Sequence, residues 1–301
     1  MKARTTNEGR QMRSRIVIGI GLLTLIAAAC TPYRFPVGTA PQRYRDDVFS
    51  EVTRTNGVTF TRAVNQPNSS SGLQLDIYDP SGDTATLRPA IVWVHGGSFS
   101  SLDRTSLELV DEATAFAKKG FFNVSIDYRL SRAGCSASAP AAECVAAIVD
   151  AMHDTQAAVR FLRANASTYR IDPTRIAVAG TSAGAITAIN VACNPDDPGT
   201  SGNPGYSSAV SAAVSLSGAK ILGTCERGDA PIFLMHGTTD VLVPYAWAQS
   251  TVRAAADAGL TAYLSTWGGE GHVPYVEHRA EIIDTTRNFL WWEMDLKNAA
   301  S

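Results

Sequence analysis

The sequence has very little net charge and no concentration of charge of either sign. Its 26 Lys and Arg residues stand against 28 Asp and Glu residues, which leaves a formal net charge of −2 over 301 residues. No basic stripe indicates a nucleic-acid-binding surface, and no acidic tail indicates a cationic partner. No internal repeat is present either. We therefore expect no nucleic-acid partner, and the apolar content of 45% is ordinary for a globular protein.

Long hydrophobic runs are missing from the chain beyond its first thirty residues. A charged stretch precedes an apolar run, residues 16–29, which ends in small residues and is too short to span a bilayer comfortably. This pattern predicts a signal peptide over residues 1–29. Cys30 follows directly, as in a bacterial lipobox, so we expect it to be acylated; cleavage after Ala29 by ordinary signal peptidase is the alternative. Either way we expect an exported protein, which is lipid-anchored in the cell envelope or secreted.

The chain contains few cysteines, and their spacing does not favour a metal site. Four remain after Cys30, an even number in a chain expected to be exported, which predicts two disulfides with three possible pairings. We favour Cys135–Cys144, across a short Ala/Ser-rich loop, and Cys193–Cys225. Metal binding is the rival interpretation, but neither a C-x-x-C pair nor clustered histidines support it.

The organisation of the chain predicts one α/β domain after a short leader. Cleavage before Cys30 leaves 301 − 29 = 272 residues, enough for a single large core. Residues 30–72 are rich in Pro, Thr, Asn and Ser and are interpreted as a tether with one edge strand. From residue 73 to 296, strands alternate with helices, which predicts a doubly wound, mostly parallel sheet with helices on both faces. The eight expected strands are 58–62, 73–78, 90–94, 122–126, 175–180, 210–216, 231–236 and 261–266; the expected helices are 105–119, 142–165, 183–192, 245–258 and 277–294.

Four motifs follow expected strands, at the edge of the sheet where parallel strands end. They are Gly180-Thr-Ser-Ala-Gly184, His95-Gly-Gly-Ser-Phe99, His236-Gly-Thr-Thr-Asp-Val-Leu-Val-Pro244 and Gly268-Gly-Glu-Gly-His-Val-Pro274. Ligands of such sheets bind at this edge. A serine in G-x-S-x-G on a strand-to-helix turn is typical of a nucleophile, provided that a base lies beside it. The chain order Ser, Asp, His predicts a catalytic triad of Ser182, Asp240 and His272.

These motifs, with Asp127-Tyr-Arg-Leu130 and the stretches 154–163, 169–173 and 176–184, resemble a known family. Residues 73–292 look like an α/β-hydrolase of the carboxylesterase type, close to the hormone-sensitive-lipase-like and feruloyl-esterase-like bacterial branch. The resemblance implies an eight-stranded sheet with a minimal cap and a serine esterase that needs no metal or organic cofactor. In this role Ser182 attacks the ester, His272 carries the proton and Asp240 orients the imidazole.

The oxyanion of such a reaction needs fixed backbone donors. The N–H of Ala183, directly after the nucleophile, is one candidate. By resemblance to esterases with an H-G-G-G motif, Gly97 and Ser98 are the others; Ser98 replaces the third glycine but keeps its N–H.

Several other polar residues near the motifs have simpler interpretations. We expect His95 to orient the glycine loop and His236 to be packed in the core. Asp127 is the main competitor for the role of the acid. Glu270 is either a solvated charge or part of the pocket mouth, and Trp267 either lines the acyl pocket or packs on the sheet.

The expected reaction is hydrolysis of a small-molecule or polymer-linked carboxylic ester. No insertion is long enough for a large lid, so we expect an open, shallow site that favours short-chain, aryl or sugar esters. A serine peptidase of the prolyl-oligopeptidase type is one alternative, although residues 30–72 cannot form the gating domain of such enzymes. A non-catalytic binding protein of the same fold is the other. The sequence does not indicate the oligomeric state.

Overall fold

The computed structural model describes residues 33–65, 69–135, 142–195, 197 and 199–299. The expected signal peptide and Cys30 lie outside these ranges. Within them, no helix combines the length and the apolar composition that are needed to cross a bilayer.

The core of the protein is one eight-stranded sheet, as the sequence predicts. Its strand order is β1-β2-β4-β3-β5-β6-β7-β8. The pairs β1–β2 and β2–β4 are antiparallel, and every other pair is parallel. The strands are β1 (Val52–Asn65), β2 (Ser69–Pro80), β3 (Arg88–Val94), β4 (Phe122–Ile126), β5 (Ile171–Thr181), β6 (Ala212–Leu216), β7 (Ile232–Gly237) and β8 (Ala262–Trp267).

Helices cover both faces of the sheet and explain why its central strands are apolar almost throughout. In β3, Val92 packs into the core under α2 and α4, whereas Trp93 packs into the core under α1 and α6. A strand buried on both faces needs this continuous apolar sequence. The helices are α1 (Leu107–Lys118), α2 (Ala142–Ala164), α3 (Ala166–Tyr169), α4 (Ala183–Ala192), α5 (Tyr245–Asp257), α6 (Tyr275–Glu293) and α7 (Leu296–Ala299).

The segment before β1 differs from the tether that its composition suggests. Tyr44 is fully buried and makes an edge-to-face contact with Phe121. The guanidinium of Arg45, itself 3% exposed, donates to the carbonyl oxygen of Gly38. Tyr33 packs edge-on against Tyr263, at the start of β8. Residues 33–51 therefore belong to the folded body, because aromatic burial holds them there.

Two disulfides fasten connections at opposite ends of the parallel strands. The structure contains the Cys135–Cys144 bond and the Cys193–Cys225 bond, the two pairings that the sequence favours. The first joins the connection after β4 to the first turn of α2. The second joins the end of α4 to the connection between β6 and β7.

Candidate active site

The turn from β5 into α4 presents Ser182 in a backbone conformation that few serines adopt. Its φ is 53° and its ψ is −114°, outside the regions that ordinary L-residues occupy. Its N–H donates to the carbonyl oxygen of Leu216 on the neighbouring strand, at 2.9 Å. A non-glycine residue at positive φ is strained, and such strain is concentrated at functional sites. The surrounding sheet and helix hold the strained turn, and the side chain stays partly exposed.

Both glycines of the G-x-S-x-G motif are required by close backbone contacts. A Cβ atom on Gly184 would lie 1.9 Å from the carbonyl oxygen of Val94, and one on Gly180 would lie 2.6 Å from the backbone of Gly184. Because backbone atoms of β3 cannot move aside as a flexible side chain could, the motif allows α4 to begin directly against the sheet.

We expect Gly184→Ala to lower the free energy of unfolding by about 3 kcal/mol, the upper end of the usual cost of overpacking. Gly268→Ala is the matched control, since a Cβ atom at Gly268 meets nothing within 4 Å. Urea denaturation of the two variants measures the difference. Equal stability of both variants would contradict the packing argument.

The three residues predicted as a triad lie in one hydrogen-bonded chain. Ser182 Oγ lies 2.7 Å from His272 Nε2, and His272 Nδ1 lies 2.7 Å from Asp240 Oδ2. The hydroxyl can donate to Nε2 only if the imidazole proton sits on Nδ1, where the carboxylate accepts it. The structure thus brings together residues that are 90 and 32 positions apart along the chain.

Asp240 is surrounded by donors that favour its ionised form. Its Oδ1 accepts the N–H groups of Leu242 and Val243 at 2.9 and 3.0 Å. Burial alone would raise the pKa of this carboxyl, but hydrogen bonds from His236, His272 and the Val243 N–H outweigh it and hold the pKa well below its usual range. Asp240 therefore carries a negative charge beside the imidazole at any pH near neutrality.

His236 contributes to this environment in a way that the sequence does not reveal. It is fully buried, as expected, but its Nε2 lies 3.1 Å from Asp240 Oδ2 as well as 2.9 Å from the carbonyl oxygen of Val243. The residue thus helps to orient the carboxylate. The sequence signal for this contact is the position of His236 four residues before Asp240 in H-G-T-T-D. Spacing alone does not predict the contact, because the two residues are joined by a loop of irregular conformation.

The loop that carries His272 is fastened to two neighbouring strand ends. The N–H of Val273 donates to Ser217 Oγ at 3.0 Å, and the N–H of Thr239 donates to the carbonyl oxygen of Glu270 at 2.9 Å. These bonds connect the base to the connections after β6 and β7. The imidazole is consequently held in place from both sides of its loop.

The glycine loop, residues 95–101, faces the nucleophile from the end of β3. Gly97 and Ser98 have φ values of 93° and 53°. A Cβ atom on Gly97 would lie 2.0 Å from the carbonyl oxygen of Ser101, so only glycine fits there. Within the described part of the chain, the N–H groups of Gly97, Ser98 and Ala183 have no hydrogen-bond acceptor. These are the three donors that the sequence assigns to an oxyanion.

Two buried side chains, His95 and Tyr128, contact the backbone of the glycine loop. Burial lowers the pKa of His95 to about 4, so its imidazole is neutral near pH 7. Its Nδ1 lies 2.8 Å from the carbonyl oxygen of Gly96, and its ring stacks on Tyr128 with centroids 4.2 Å apart. The Tyr128 hydroxyl donates to the same Gly96 oxygen at 2.8 Å. His95 is therefore in contact with the loop backbone, as expected of an orienting residue.

A small apolar pocket of about 80 Å³ opens beside the nucleophile. Its wall is mainly aliphatic and aromatic, with a disulfide on one side. An apolar cavity of roughly 150 Å³ holds a benzene ring, so this pocket suits a group of about two to four carbons. Its lining residues are Ser98, Phe99, Cys135, Cys144, Ile148, Ser182, Ala183, Ile186, Ile221, Leu242, Val243 and Trp247.

The remaining candidate residues lie outside this arrangement. Asp127 makes an ion pair with Arg104 at 2.7 Å rather than approaching His272. Trp267 is 6% exposed and donates from Nε1 to Glu281 on α6, so it packs on the sheet and does not line the pocket. The Glu270 carboxylate lies 3.4 Å from His278 Nε2 and does not line the pocket either.

Together, these groups can support nucleophilic attack on a carbonyl carbon. A serine hydroxyl lies within hydrogen-bond distance of an imidazole that a carboxylate orients, and free N–H donors lie at the neighbouring loop and helix start. This combination is the one that acyl transfer requires.

Comparison with known proteins agrees with this architecture. Residues 75–219 match the BD-FAE family model. Solved structures of Thermogutta terrifontis esterase 2 are similar: the form phosphonylated by sarin aligns with a TM-score of 0.66 and 21% identity, over 82% of this chain and 95% of that one. The butyrate-bound form aligns with a TM-score of 0.63 and 21% identity, over 83% of this chain and 96% of that one. The form phosphorylated by paraoxon aligns with a TM-score of 0.63 and 22% identity, over 82% of this chain and 95% of that one. The chain has the α/β-hydrolase fold, the fold that the resemblance of its motifs implies.

Proposed function

We propose that this protein is a carboxylic ester hydrolase that works through an acyl-enzyme intermediate on Ser182. The observation that carries the proposal is the continuous chain from Ser182 Oγ through His272 to Asp240, with 2.7 Å at each contact. The similarity to Thermogutta terrifontis esterase 2, a protein described in phosphonylated and phosphorylated forms, supports the same chemistry.

In the proposed reaction, Ser182 Oγ attacks the ester carbonyl carbon while His272 Nε2 accepts the hydroxyl proton. The carbonyl oxygen becomes an oxyanion, to which Gly97, Ser98 and Ala183 donate their N–H groups. His272 then gives its proton to the leaving alcohol, and the acyl-serine remains. A water molecule repeats the sequence, with His272 as the base, and releases the carboxylic acid.

We further propose that the acyl group is short. The pocket of about 80 Å³ beside Ser182 is apolar and too small for a long chain. Butyrate, which is bound in one structure of Thermogutta terrifontis esterase 2, is similar in size to the acyl groups that this pocket can hold. Aryl and sugar alcohols fit the proposal equally well, because it assigns only the acyl group to this pocket. The substrate is thus a small-molecule or polymer-linked ester with a short acyl chain.

Paraoxon offers a direct test of the nucleophile. We expect one equivalent of 4-nitrophenolate to be released per protein as Ser182 Oγ forms a bond to phosphorus, and the diethylphosphoryl group to be found on the Ser182 peptide by mass spectrometry. Ser182→Ala should release none. Labelling at another serine, or undiminished release from Ser182→Ala, would contradict the proposed nucleophile.

A panel of 4-nitrophenyl esters tests the acyl group. We expect kcat/KM to be highest for acetate to butyrate and to fall by at least about tenfold for octanoate, because longer chains exceed the pocket. Faster turnover of octanoate would contradict the short-chain proposal. A higher kcat/KM for a peptidyl nitroanilide than for any ester would favour a peptidase instead.

We also propose that the protein is exported and lipid-anchored through Cys30, with secretion as the alternative. Two disulfides are compatible with an oxidising compartment. Metabolic labelling with a fatty acid, lost in Cys30→Ser, tests the anchor.

A further inference from the structure

We propose that the Cys135–Cys144 disulfide is a positioning element of the active site, which fixes the glycine loop and thereby sets the rate of catalysis. The inference rests on the proposed ester hydrolysis, because the glycine loop has this task only if an oxyanion forms. Both cysteines line the same pocket as Ser182, so the bond lies at the reaction site and not in a remote part of the fold.

The link to the glycine loop is a short backbone segment, residues 131–135, which we call the brace. The N–H of Ser131 donates to the carbonyl oxygen of Phe99 at 2.7 Å, and the N–H of Cys135 donates to that of Ser98 at 3.0 Å. Gly134 approaches so closely that a Cβ atom there would lie 3.1 Å from the same Ser98 oxygen. The brace therefore runs directly against the outer side of the glycine loop.

The glycine loop needs such support because its backbone is strained at the residues that the brace contacts. Ser98 and Phe99 have φ values of 53° and 61°, which L-residues seldom adopt. These conformations persist only when surrounding contacts hold them. If the bonds to the two carbonyl groups loosen, the N–H of Ser98 loses its direction toward the oxyanion. A donor that is misdirected in this way lowers kcat, because it acts on charge that develops in the transition state.

The disulfide joins the brace to a rigid element. Cys144 is buried at the start of α2, a helix of 23 residues, and Ile148, one turn later, lies in the same core and lines the same pocket. A further hydrogen bond of the brace, from the Ala133 N–H to Ser131 Oγ, is internal to it. The covalent bond to α2 therefore fixes the end of the brace that carries the Cys135 N–H.

The second disulfide provides a matched control within the same chain. Cys193–Cys225 joins α4 to the connection before β7, and its cysteines belong to a different core cluster, with Ile189 and Ala213. Neither cysteine contacts the glycine loop or lines the pocket at Ser182. Its loss should affect stability, with no effect on the oxyanion donors.

The experiment compares two double variants, Cys135→Ser/Cys144→Ser and Cys193→Ser/Cys225→Ser, with wild type on 4-nitrophenyl acetate and butyrate. We expect the first to lower kcat for both esters by about tenfold with little change in KM, less than the 10²–10³-fold loss that follows removal of a whole oxyanion donor. The second should keep kcat within about twofold. Serine-dependent turnover by wild type is measured first, so failure of the proposed function is distinguished from failure of this inference.

Reduction of the folded protein keeps the test valid if the first variant does not fold. In the Cys193→Ser/Cys225→Ser background, a dithiol cleaves the remaining S–S bond to two thiols and is itself oxidised to a cyclic disulfide. We expect kcat to fall by about tenfold and to recover on reoxidation, whereas the same variant without the dithiol should keep its kcat. An unchanged kcat after complete reduction would overturn the proposal. So would a change in the butyrate-to-acetate ratio with kcat for acetate intact, because this is the signature of a pocket wall alone.

Discussion

Ser182→Ala is expected to lower kcat for 4-nitrophenyl acetate by roughly 10⁶-fold, the loss found when the nucleophile of a serine protease is removed. The reason is that Ser182 supplies the attacking oxygen, and no other group at the site replaces it. Without Oγ no acyl-enzyme forms, and His272 and Asp240 have no proton to transfer, although the oxyanion donors remain. Steady-state kinetics on the purified protein measure the effect, and an unchanged melting temperature shows that the fold is retained.

Ser250→Ala is the matched control, since Ser250 is an exposed serine on α5 whose hydroxyl donates to the carbonyl oxygen of Ala246. It should keep wild-type kcat. If Ser182→Ala and Ser250→Ala retain the same activity, the turnover does not depend on the proposed nucleophile, and a binding protein of this fold becomes the better interpretation.

Asp240→Asn is expected to lower kcat by about 10⁴-fold, as an amide in this position favours the wrong imidazole tautomer. Asp240 Oδ2 now accepts from His272 Nδ1 at 2.7 Å. An asparagine that presents its NH₂ group there would require Nδ1 to accept, so the proton moves to Nε2, where Ser182 Oγ needs an acceptor. The hydroxyl then loses its base, while substrate binding in the apolar pocket and therefore KM should change little.

Asp127→Asn tests the competing assignment of the acid. Asp127 also follows a strand, but its carboxylate pairs with Arg104, with 23% of its side chain exposed. We expect kcat to stay within about threefold and the free energy of unfolding to fall by about 1 kcal/mol, as for a partly exposed ion pair. A larger loss of kcat in Asp127→Asn than in Asp240→Asn would reverse the assignment.

The position of the site could be predicted because parallel strands impose it. Each residue of the proposed triad follows a different strand of the same parallel sheet: Ser182 follows β5, Asp240 follows β7 and His272 follows β8. The carboxyl ends of parallel strands meet at a single edge of the sheet. The sequence motifs therefore indicated not only residue types but a common location. The two disulfides could also be predicted, since Cys135 and Cys144 flank a short loop and Cys193 and Cys225 each lie just beyond an expected element.

Other features could not be predicted because they depend on contacts that form only in the folded chain. Strand β1 runs over residues 52–65, much longer than the expected 58–62, because its Thr- and Arg-rich sequence pairs with β2 on an edge that faces water. The burial of Tyr44 depends on Phe121, 77 positions later. The contact of His236 with Asp240 depends on how the intervening loop folds, which periodicity does not describe.

The docking of Tyr33 has a consequence for how the molecule is oriented. Tyr33 contacts Tyr263, the second residue of β8, and Phe289 in the last turns of α6, so the chain enters the body where the parallel strands begin. Ser182 and His272 lie beyond the opposite ends of these strands. A β8 of six residues alone spans roughly 20 Å. The point at which the described chain enters the body and the mouth of the pocket therefore lie on opposite sides of the molecule.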